Sequence, residues 1–284
     1  MTVNELSRRR MLALTGIAAT CFSLRSAFAG GAPSVTSADG SFDRVKSADL
    51  LVFGTSNDEP FSFIDAATNE VAGIDAEMLL EMLKRLGVAK HQVLQVSFDG
   101  LIPSLMSSRI DVICDAMYIT EKRKKVIDFS QPFYQYGEAL LVRKGNPKGL
   151  HSLDDLKKGA KVASPLGTVY LDWLKGIDGA EAISYSDAAS IMQDLKIGRI
   201  DAALFDAPVA GYALKKSADL TDALEIVGDY QPKEIGRIGA GFRKADVALR
   251  EALDWALNEI KKDGTDLAIL KKWGLSEINR SPVV

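Results

Sequence analysis

The chain has 284 residues, enough for two ordinary domains rather than one. Its 35 basic and 38 acidic side chains leave a formal net charge of −3, an acidic balance that argues against nucleic acid or an anionic membrane as partner. With only two cysteines and two histidines, a disulfide framework, a thiolate metal centre and histidine-based catalysis are all disfavoured.

The first residues read as an address rather than as structure. Ser7-Arg8-Arg9-Arg10-Met11-Leu12 is a twin-arginine pattern, and a moderately apolar run over residues 11–24 follows it. Ala27-Phe28-Ala29 supplies a small-x-small cleavage site, so export to the periplasm with cleavage after Ala29 is expected. A run of about 14 apolar residues interrupted by Thr and Ser is too short to span a bilayer. Ala18-Ala19-Thr20 before Cys21 lacks the branched and small residues of a lipoprotein site. Removal of residues 1–29 takes four arginines and one acid from those totals, which leaves 31 basic and 37 acidic residues, a net of −6. Cys114 is then the one remaining cysteine, in an apolar stretch that suits a small buried side chain.

Residues 30–43 are rich in Gly, Ala, Ser and Thr and read as a flexible leader, with order beginning near Phe42. A strand is predicted over 50–54, followed by the turn Ser56-Asn57-Asp58-Glu59-Pro60. Ile74, Met78, Leu79, Met82, Leu83 and Leu86 recur at three and four residues, and Gly87 stops that helix. A strand near 93–96 leads to Asp99, a candidate cap for the helix carrying Leu101, Ile102 and Leu105. An apolar strand over 110–116 and a strand over 138–142 follow.

A second alternating set begins after the turn-rich segment 143–149. Ser152-Leu153-Asp154-Asp155 resembles a capping box with Asp for Glu. Strands are predicted at 161–163, 182–185 and 200–205, and helices around Trp173-Leu174 and over 187–197. Residues 245–273 are nearly all helical, ended by Gly274, and their tryptophans suit packing more than ligand contact. Gly236, Gly239 and Gly241 mark a strand bend near a lobe crossover, and His91 and His151 fall in predicted loops. Strands alternating with helices in both halves predict an α/β protein of two lobes.

The segment 101–132 carries the most chemistry. Its strand ends in the polar turn Tyr118-Ile119-Thr120-Glu121-Lys122-Arg123, at the edge where open α/β sheets bind ligands. An arginine there is a fixed cation whose planar fork suits a carboxylate, although Lys122-Arg123-Lys124-Lys125 also reads as a solvated basic run. Gly167-Thr168 lies where a loop meets a helix N-terminus, so backbone N–H groups and a hydroxyl could meet an anion. Asp206 ends a buried strand, as a ligand carboxylate or as a helix cap. Phe61, Phe98 and Tyr118 fall in loops after first-half strands, where aromatic faces attract cations and stack on flat ligands.

Taken in order, Gly54-Thr55, Leu101-Ile102-Pro103, Ile119-Thr120-x-x-Arg123, Asp128-Phe129-Ser130-x-Pro132, Gly167-Thr168, Asp201-Ala202-x-x-x-Asp206 and Asp263-Gly264-Thr265 resemble the bacterial extracellular solute-binding proteins of family 3. The resemblance covers roughly residues 44–276. It implies a type II periplasmic binding protein fold, with 44–139 and 237–284 in one lobe, 140–236 in the other, and two hinge strands between them. It further implies a monomeric subunit, without cofactor or metal, that closes on a small zwitterionic solute and delivers it to ABC permease subunits in the membrane.

By the same resemblance Arg123 clamps an α-carboxylate, Gly167 and Thr168 complete that site, and Asp206 holds an ammonium. Ala116, Tyr118 and Val169 stand where amino-acid binders of the family often carry hydroxyls. The aromatics, with Asp58 or Glu59, are similar to the branch that binds ectoine. A competing reading on the same fold is a cyclohexadienyl or arogenate dehydratase, with Asp206 or Glu138 as its acid.

Overall fold

The computed structural model describes Pro33 and residues 35–282, so the twin-arginine leader and its cleavage site lie outside the described residues. Two sheets organise the described chain, and both follow one strand pattern. In the first, the strands Lys90–Gln95, Leu50–Thr55 and Val112–Ile113 run parallel, followed by Gly241–Phe242 and Asp128–Phe129 in antiparallel pairing. In the second, Glu181–Tyr185, Lys161–Pro165 and Ala202–Asp206 run parallel, followed by Tyr134–Arg143 and Leu224–Ile226 in antiparallel pairing. The fourth strand of the second sheet, Tyr134–Arg143, is itself a crossing segment, and that of the first, Gly241–Phe242, follows the other crossing segment, Ile235–Ile238.

Two segments cross between the lobes side by side. Tyr134–Gly137 at the start of one long strand pairs antiparallel with Ile235–Ile238. Phe133 N–H then donates to Ile238 O at 2.7 Å, and Ser130 N–H to Ala240 O at 2.9 Å, so the ladder continues into the first lobe. The hinge is therefore a two-stranded ribbon.

The helix Ile74–Leu86 buries Ile74, Met78, Leu79, Met82, Leu83 and Leu86, and Gly87 ends it in the left-handed region at φ 65°. Each such apolar side chain contributes about 1.5–3 kcal/mol on burial. That stripe packs against the helix Val247–Lys262, itself lined by Leu249, Leu253, Leu257 and Ile260. The Ser152–Asp155 box forms reciprocally: Ser152 N–H donates to the Asp155 carboxylate at 3.1 Å, and Asp155 N–H to Ser152 Oγ at 3.3 Å.

Some local expectations are corrected. A helix, Ser41–Ala48, begins inside the stretch expected to be flexible. Asp39 accounts for it, since its carboxylate accepts from both Ser41 N–H and Ala248 N–H at 2.8 Å and so caps two open helix ends. The strand expected over 110–116 is ordered as a strand only at Val112–Ile113, and Ala116 beyond it turns to φ 48°. Asp99 makes no cap hydrogen bond, and a short 3-10 turn, Phe98–Gly100, leads into the helix instead. His91 lies in the strand Lys90–Gln95 rather than in a loop.

Candidate functional site

The carboxyl ends of the parallel strands in both sheets converge on one cleft of about 590 Å3. Ser56, Asp58 and Glu59 follow the strand Leu50–Thr55, Phe98 follows Lys90–Gln95, and Asp115, Ala116 and Tyr118 follow Val112–Ile113. From the second lobe come Thr168 and Tyr170 after Lys161–Pro165, Asp187 after Glu181–Tyr185, and Asp206 at the end of Ala202–Asp206. This is the position that open α/β sheets reserve for ligands. Arg123, Asp206, Thr168, Tyr118, Phe98 and Asp58 therefore share a single lining.

Arg123 is only 9% exposed although it stands in a basic run. Thr120 caps its short helix, with Thr120 Oγ1 accepting from Arg123 N–H at 3.2 Å. The guanidinium then turns inward. Its Nη1 donates to Tyr118 O at 2.9 Å, its Nη2 donates to Gly167 O at 3.1 Å, and its plane sits 5.4 Å from the Phe98 ring centre. Burial lowers its pKa from the ordinary arginine value, while the negative field of Tyr136, Tyr170 and Asp206 opposes that shift. Fixed by two backbone carbonyls, the fork keeps further donors for an anion.

Asp206 begins the helix Ala207–Lys216 without capping it. Instead its Oδ1 accepts from Tyr170 Oη at 2.6 Å. Burial raises its pKa above the ordinary carboxylate range, and hydrogen bonds from Tyr136 and Tyr170 and the Arg123 charge work against that rise. Cation and anion thus come from opposite lobes. Thr168 is a helix cap: its hydroxyl donates to Pro165 O at 2.7 Å and accepts from Leu171 N–H at 3.3 Å. Its hydroxyl is largely committed to the fold.

Tyr118 combines two roles. It lines the cleft, yet it is 4% exposed and its hydroxyl donates to Tyr136 O at 3.0 Å. Edge-on contacts to Tyr136 at 5.3 Å and Tyr170 at 5.7 Å make it the keel of an aromatic floor. Gly236 in the crossing strand makes room for it, since a Cβ there would come within 2.0 Å of the ring.

Three acids line the cleft from the first lobe, Asp58, Glu59 and Asp115. Asp115 is 2% exposed, with Oδ1 at 2.9 Å from Thr55 Oγ1 and Oδ2 accepting from Ser56 N–H at 2.9 Å and Ser56 Oγ at 2.5 Å. Burial pushes its pKa up to about 7 against those hydrogen bonds. Burial, and then the charges of Asp115, Asp206 and Glu59, raise Asp58 well above the ordinary carboxylate range. Sequence reasoning passed over Asp115, whose one signal was a carboxylate in an otherwise apolar run.

Two expected site residues fall elsewhere. Phe61 is fully buried, outside the lining, and stacked on Tyr136 at 5.3 Å and Tyr134 at 6.4 Å. The expected box of Phe61, Phe98 and Tyr118 is therefore not assembled; the aromatics of the lining are Phe98, Tyr118, Tyr170 and Tyr212. Gly167 is also outside the lining, and it meets Arg123 through its carbonyl oxygen rather than offering its N–H to an anion. Glu138, a candidate acid for an enzyme, is 1% exposed and lies outside the lining. Its Oε1 accepts from Tyr230 Oη at 2.8 Å and from Lys233 N–H at 2.5 Å, which fastens the hinge rather than facing a substrate.

Residues 51–276 match the family model of the bacterial extracellular solute-binding proteins, family 3. The chain belongs to that family. As a family 3 solute-binding protein it has two α/β lobes joined by two hinge strands, the type II periplasmic binding protein fold. It is 34% identical to the L-cystine-binding protein TcyJ of Escherichia coli (strain K12) over 244 residues, 85% of this chain and 89% of the relative. An ancestral arginine-binding protein bound to arginine is 36% identical with a TM-score of 0.73, over 80% of this chain and 98% of that one. The ancestral amino acid-binding protein AncCDT-1, a precursor of cyclohexadienyl dehydratase, is 32% identical with a TM-score of 0.74, over 82% and 98%. Among the described residues of this family 3 protein no helix is long and apolar enough to cross a membrane.

Proposed function

We propose that this family 3 protein is the periplasmic capture subunit of an ABC importer for an amino acid. One observation carries the reading: Arg123 and Asp206, a cation and an anion from opposite lobes, line the same cleft. Arg123 grips the α-carboxylate with the donors left over from Tyr118 and Gly167, and Asp206 takes the α-ammonium. Each ligand charge is then compensated as it leaves water, the condition for burying a zwitterion at all. Phe98, Tyr118 and Tyr170 cover the ligand backbone. Asp58 reaches the ligand from the first lobe.

Capture proceeds by lobe closure about the paired strands Tyr134–Gly137 and Ile235–Ile238. The lobes comprise about 44–139 with 237–284, and 140–236. A ligand shifts the population toward the closed form only through contacts that need both lobes, and Arg123 with Asp206 provides that requirement. The closed monomer is what the membrane permease receives. A twin-arginine leader cut after Ala29 delivers the protein to the periplasm. The L-cystine-binding and arginine-binding relatives support an amino acid as cargo over an ectoine.

A thermal-shift screen of amino acids, ectoines, opines and polyamines tests the reading, because a ligand stabilises with the logarithm of its saturation. An amino acid should raise the melting temperature, and neither arogenate nor prephenate should be turned over. Stabilisation by no amino acid, or turnover of either acid, contradicts the proposal.

A further inference from the structure

The segment that carries Arg123 leaves its strand through a left-handed alanine. Ala116 lines the cleft at φ 48°, a conformation that is strained for any residue with a Cβ and persists only where neighbours hold it. The turn sorts the side chains around it. Met117 enters the apolar cluster of Leu101, Leu105 and Ile127, while Asp115, Ala116 and Tyr118 face the cleft. Tyr118 O, two residues on, receives the Arg123 guanidinium at 2.9 Å. A shift at Ala116 therefore moves the support of the cation that grips the carboxylate.

The Ala116 peptide is held on both sides from the hinge. Its N–H donates to Asp75 Oδ2 at 2.5 Å, and Asp75 Oδ1 accepts from Tyr134 Oη at 2.5 Å. Its carbonyl oxygen lies 3.5 Å from Tyr136 Oη. Both tyrosines stand on the first crossing strand, and the chain beyond the turn meets the second, where Ile119 N–H donates to Arg237 O at 2.9 Å. Asp75 is 2% exposed and lies outside the lining. The start of the helix Ile74–Leu86 aims it inward, since Asp75 N–H donates to Phe61 O at 2.8 Å. Gly73, at φ 113°, allows that approach, because a Cβ there would collide with the same carbonyl. Keeping a carboxylate out of water on two neutral donors is costly, and its two acceptor oxygens are what a pair of converging donors requires.

Resting on the amino-acid reading above, we propose that Asp75 is a positioning residue for ligand capture: it clamps Ala116 in the left-handed turn and ties that turn to hinge Tyr134. Asp75 touches no ligand. Its effect runs through Ala116 to Tyr118 O, and from there to the Arg123 guanidinium. Without the clamp the turn relaxes toward ordinary backbone, and the arginine must be put back in place at the expense of binding. Affinity then falls although every side chain of the cleft is present.

Amide hydrogen exchange on the ligand-free protein tests the clamp, and calorimetric titration with L-arginine and L-cystine tests its consequence. In Asp75→Ala the Ala116 amide should exchange at least about tenfold faster, and whichever of the two amino acids wild type captures should bind about tenfold more weakly. Tyr134→Phe should weaken binding about threefold, and should add nothing to Asp75→Ala, because both cut the same chain of hydrogen bonds. Adding Ala116→Gly to Asp75→Ala should recover part of the affinity, since glycine takes the left-handed turn without a clamp. A general loss of folding would gain nothing from that glycine. Unchanged exchange at Ala116, or no recovery with glycine, overturns the proposal. Unchanged affinity in Asp75→Ala, beside lost binding in Arg123→Ala, overturns it and leaves the amino-acid reading standing. Should Asp75→Ala fail to fold, unchanged affinity in Tyr134→Phe overturns it instead. Binding of neither amino acid to wild type overturns the role in capture, while the broader screen still decides the amino-acid reading.

Discussion

Glu59 and Lys216 close the cleft from opposite sides: Lys216 Nζ lies 2.7 Å from Oε1 and 2.6 Å from Oε2 of a residue 157 positions away. Glu59 follows the first strand of one lobe, and Lys216 is the last residue of the helix that starts at Asp206 in the other. Lys122 and Asp172 make a second cross-lobe pair at 2.6 Å. Arg123 adds a third link to Gly167 O. These bonds exist only while the lobes are together, so they belong to the energetics of closure rather than of folding.

Both ion pairs are substantially exposed, with the Lys216 and Glu59 side chains at 56% and 35%. Exposed pairs contribute about 1 kcal/mol or less. Glu59→Gln should therefore leave the melting temperature of the ligand-free protein unchanged and speed ligand release by about fivefold or less. Stopped-flow dissociation at low and at high salt checks this, and the difference between variant and wild type should vanish at high salt.

Gly167 stands at φ 83°, and a Cβ there would lie 2.9 Å from Asp99 Cβ and 3.0 Å from Asp99 Cα, across the interface of the lobes. Left-handed backbone costs a non-glycine residue about 1–2 kcal/mol. Gly167→Ala should hold the lobes apart. The expected result is a ligand affinity lowered about tenfold or more, with a larger radius of gyration for the liganded protein in solution scattering.

Gly236→Ala should act differently, on stability. Its Cβ would meet the Tyr118 ring at 2.0–2.4 Å in the middle of the hinge ribbon. Overpacking of this kind costs about 1–3 kcal/mol. Denaturant unfolding should show that loss, and Tyr118→Ala in the same chain should recover part of it, as a double-mutant cycle would quantify.

Burial raises the pKa of Asp75 to about 6 and that of Asp115 to about 7, from an ordinary 3.8. The folded state therefore holds both protons more tightly than the unfolded chain does, and stability falls as pH rises through that window. The relief is complete below pH 3.8 and gone above about 7. Asp39 and Asp155, whose pKa values hydrogen bonds lower, act in the opposite sense only under more acid conditions. Melting temperature in ligand-free protein should decrease from pH 5 to pH 8, and Asp115→Asn should flatten the slope.

Much of this architecture was legible in the residues. The periodic apolar stripe of 74–86 and its Gly87 stop give the helix, and the ordered motifs from Leu101 to Asp206 give the fold and most of one cleft. What was hidden depended on contacts between distant segments. The helix Ser41–Ala48 exists because Asp39 also caps a helix more than two hundred positions later. Phe61 looked like a cleft aromatic from its loop, but Tyr134 and Tyr136, on a crossing strand, cover it. Asp115 reads as an interruption of an apolar strand until Thr55 and Ser56 are seen to fix it at the cleft floor.

The central claim is the grip of Arg123 on a ligand carboxylate. Calorimetric titration with the amino acid that stabilises the wild-type protein most, repeated on Arg123→Ala, tests it directly. The account predicts one saturable site in wild type and no measurable binding in the variant, with the variant still showing a cooperative unfolding transition. An affinity unchanged in Arg123→Ala would contradict it.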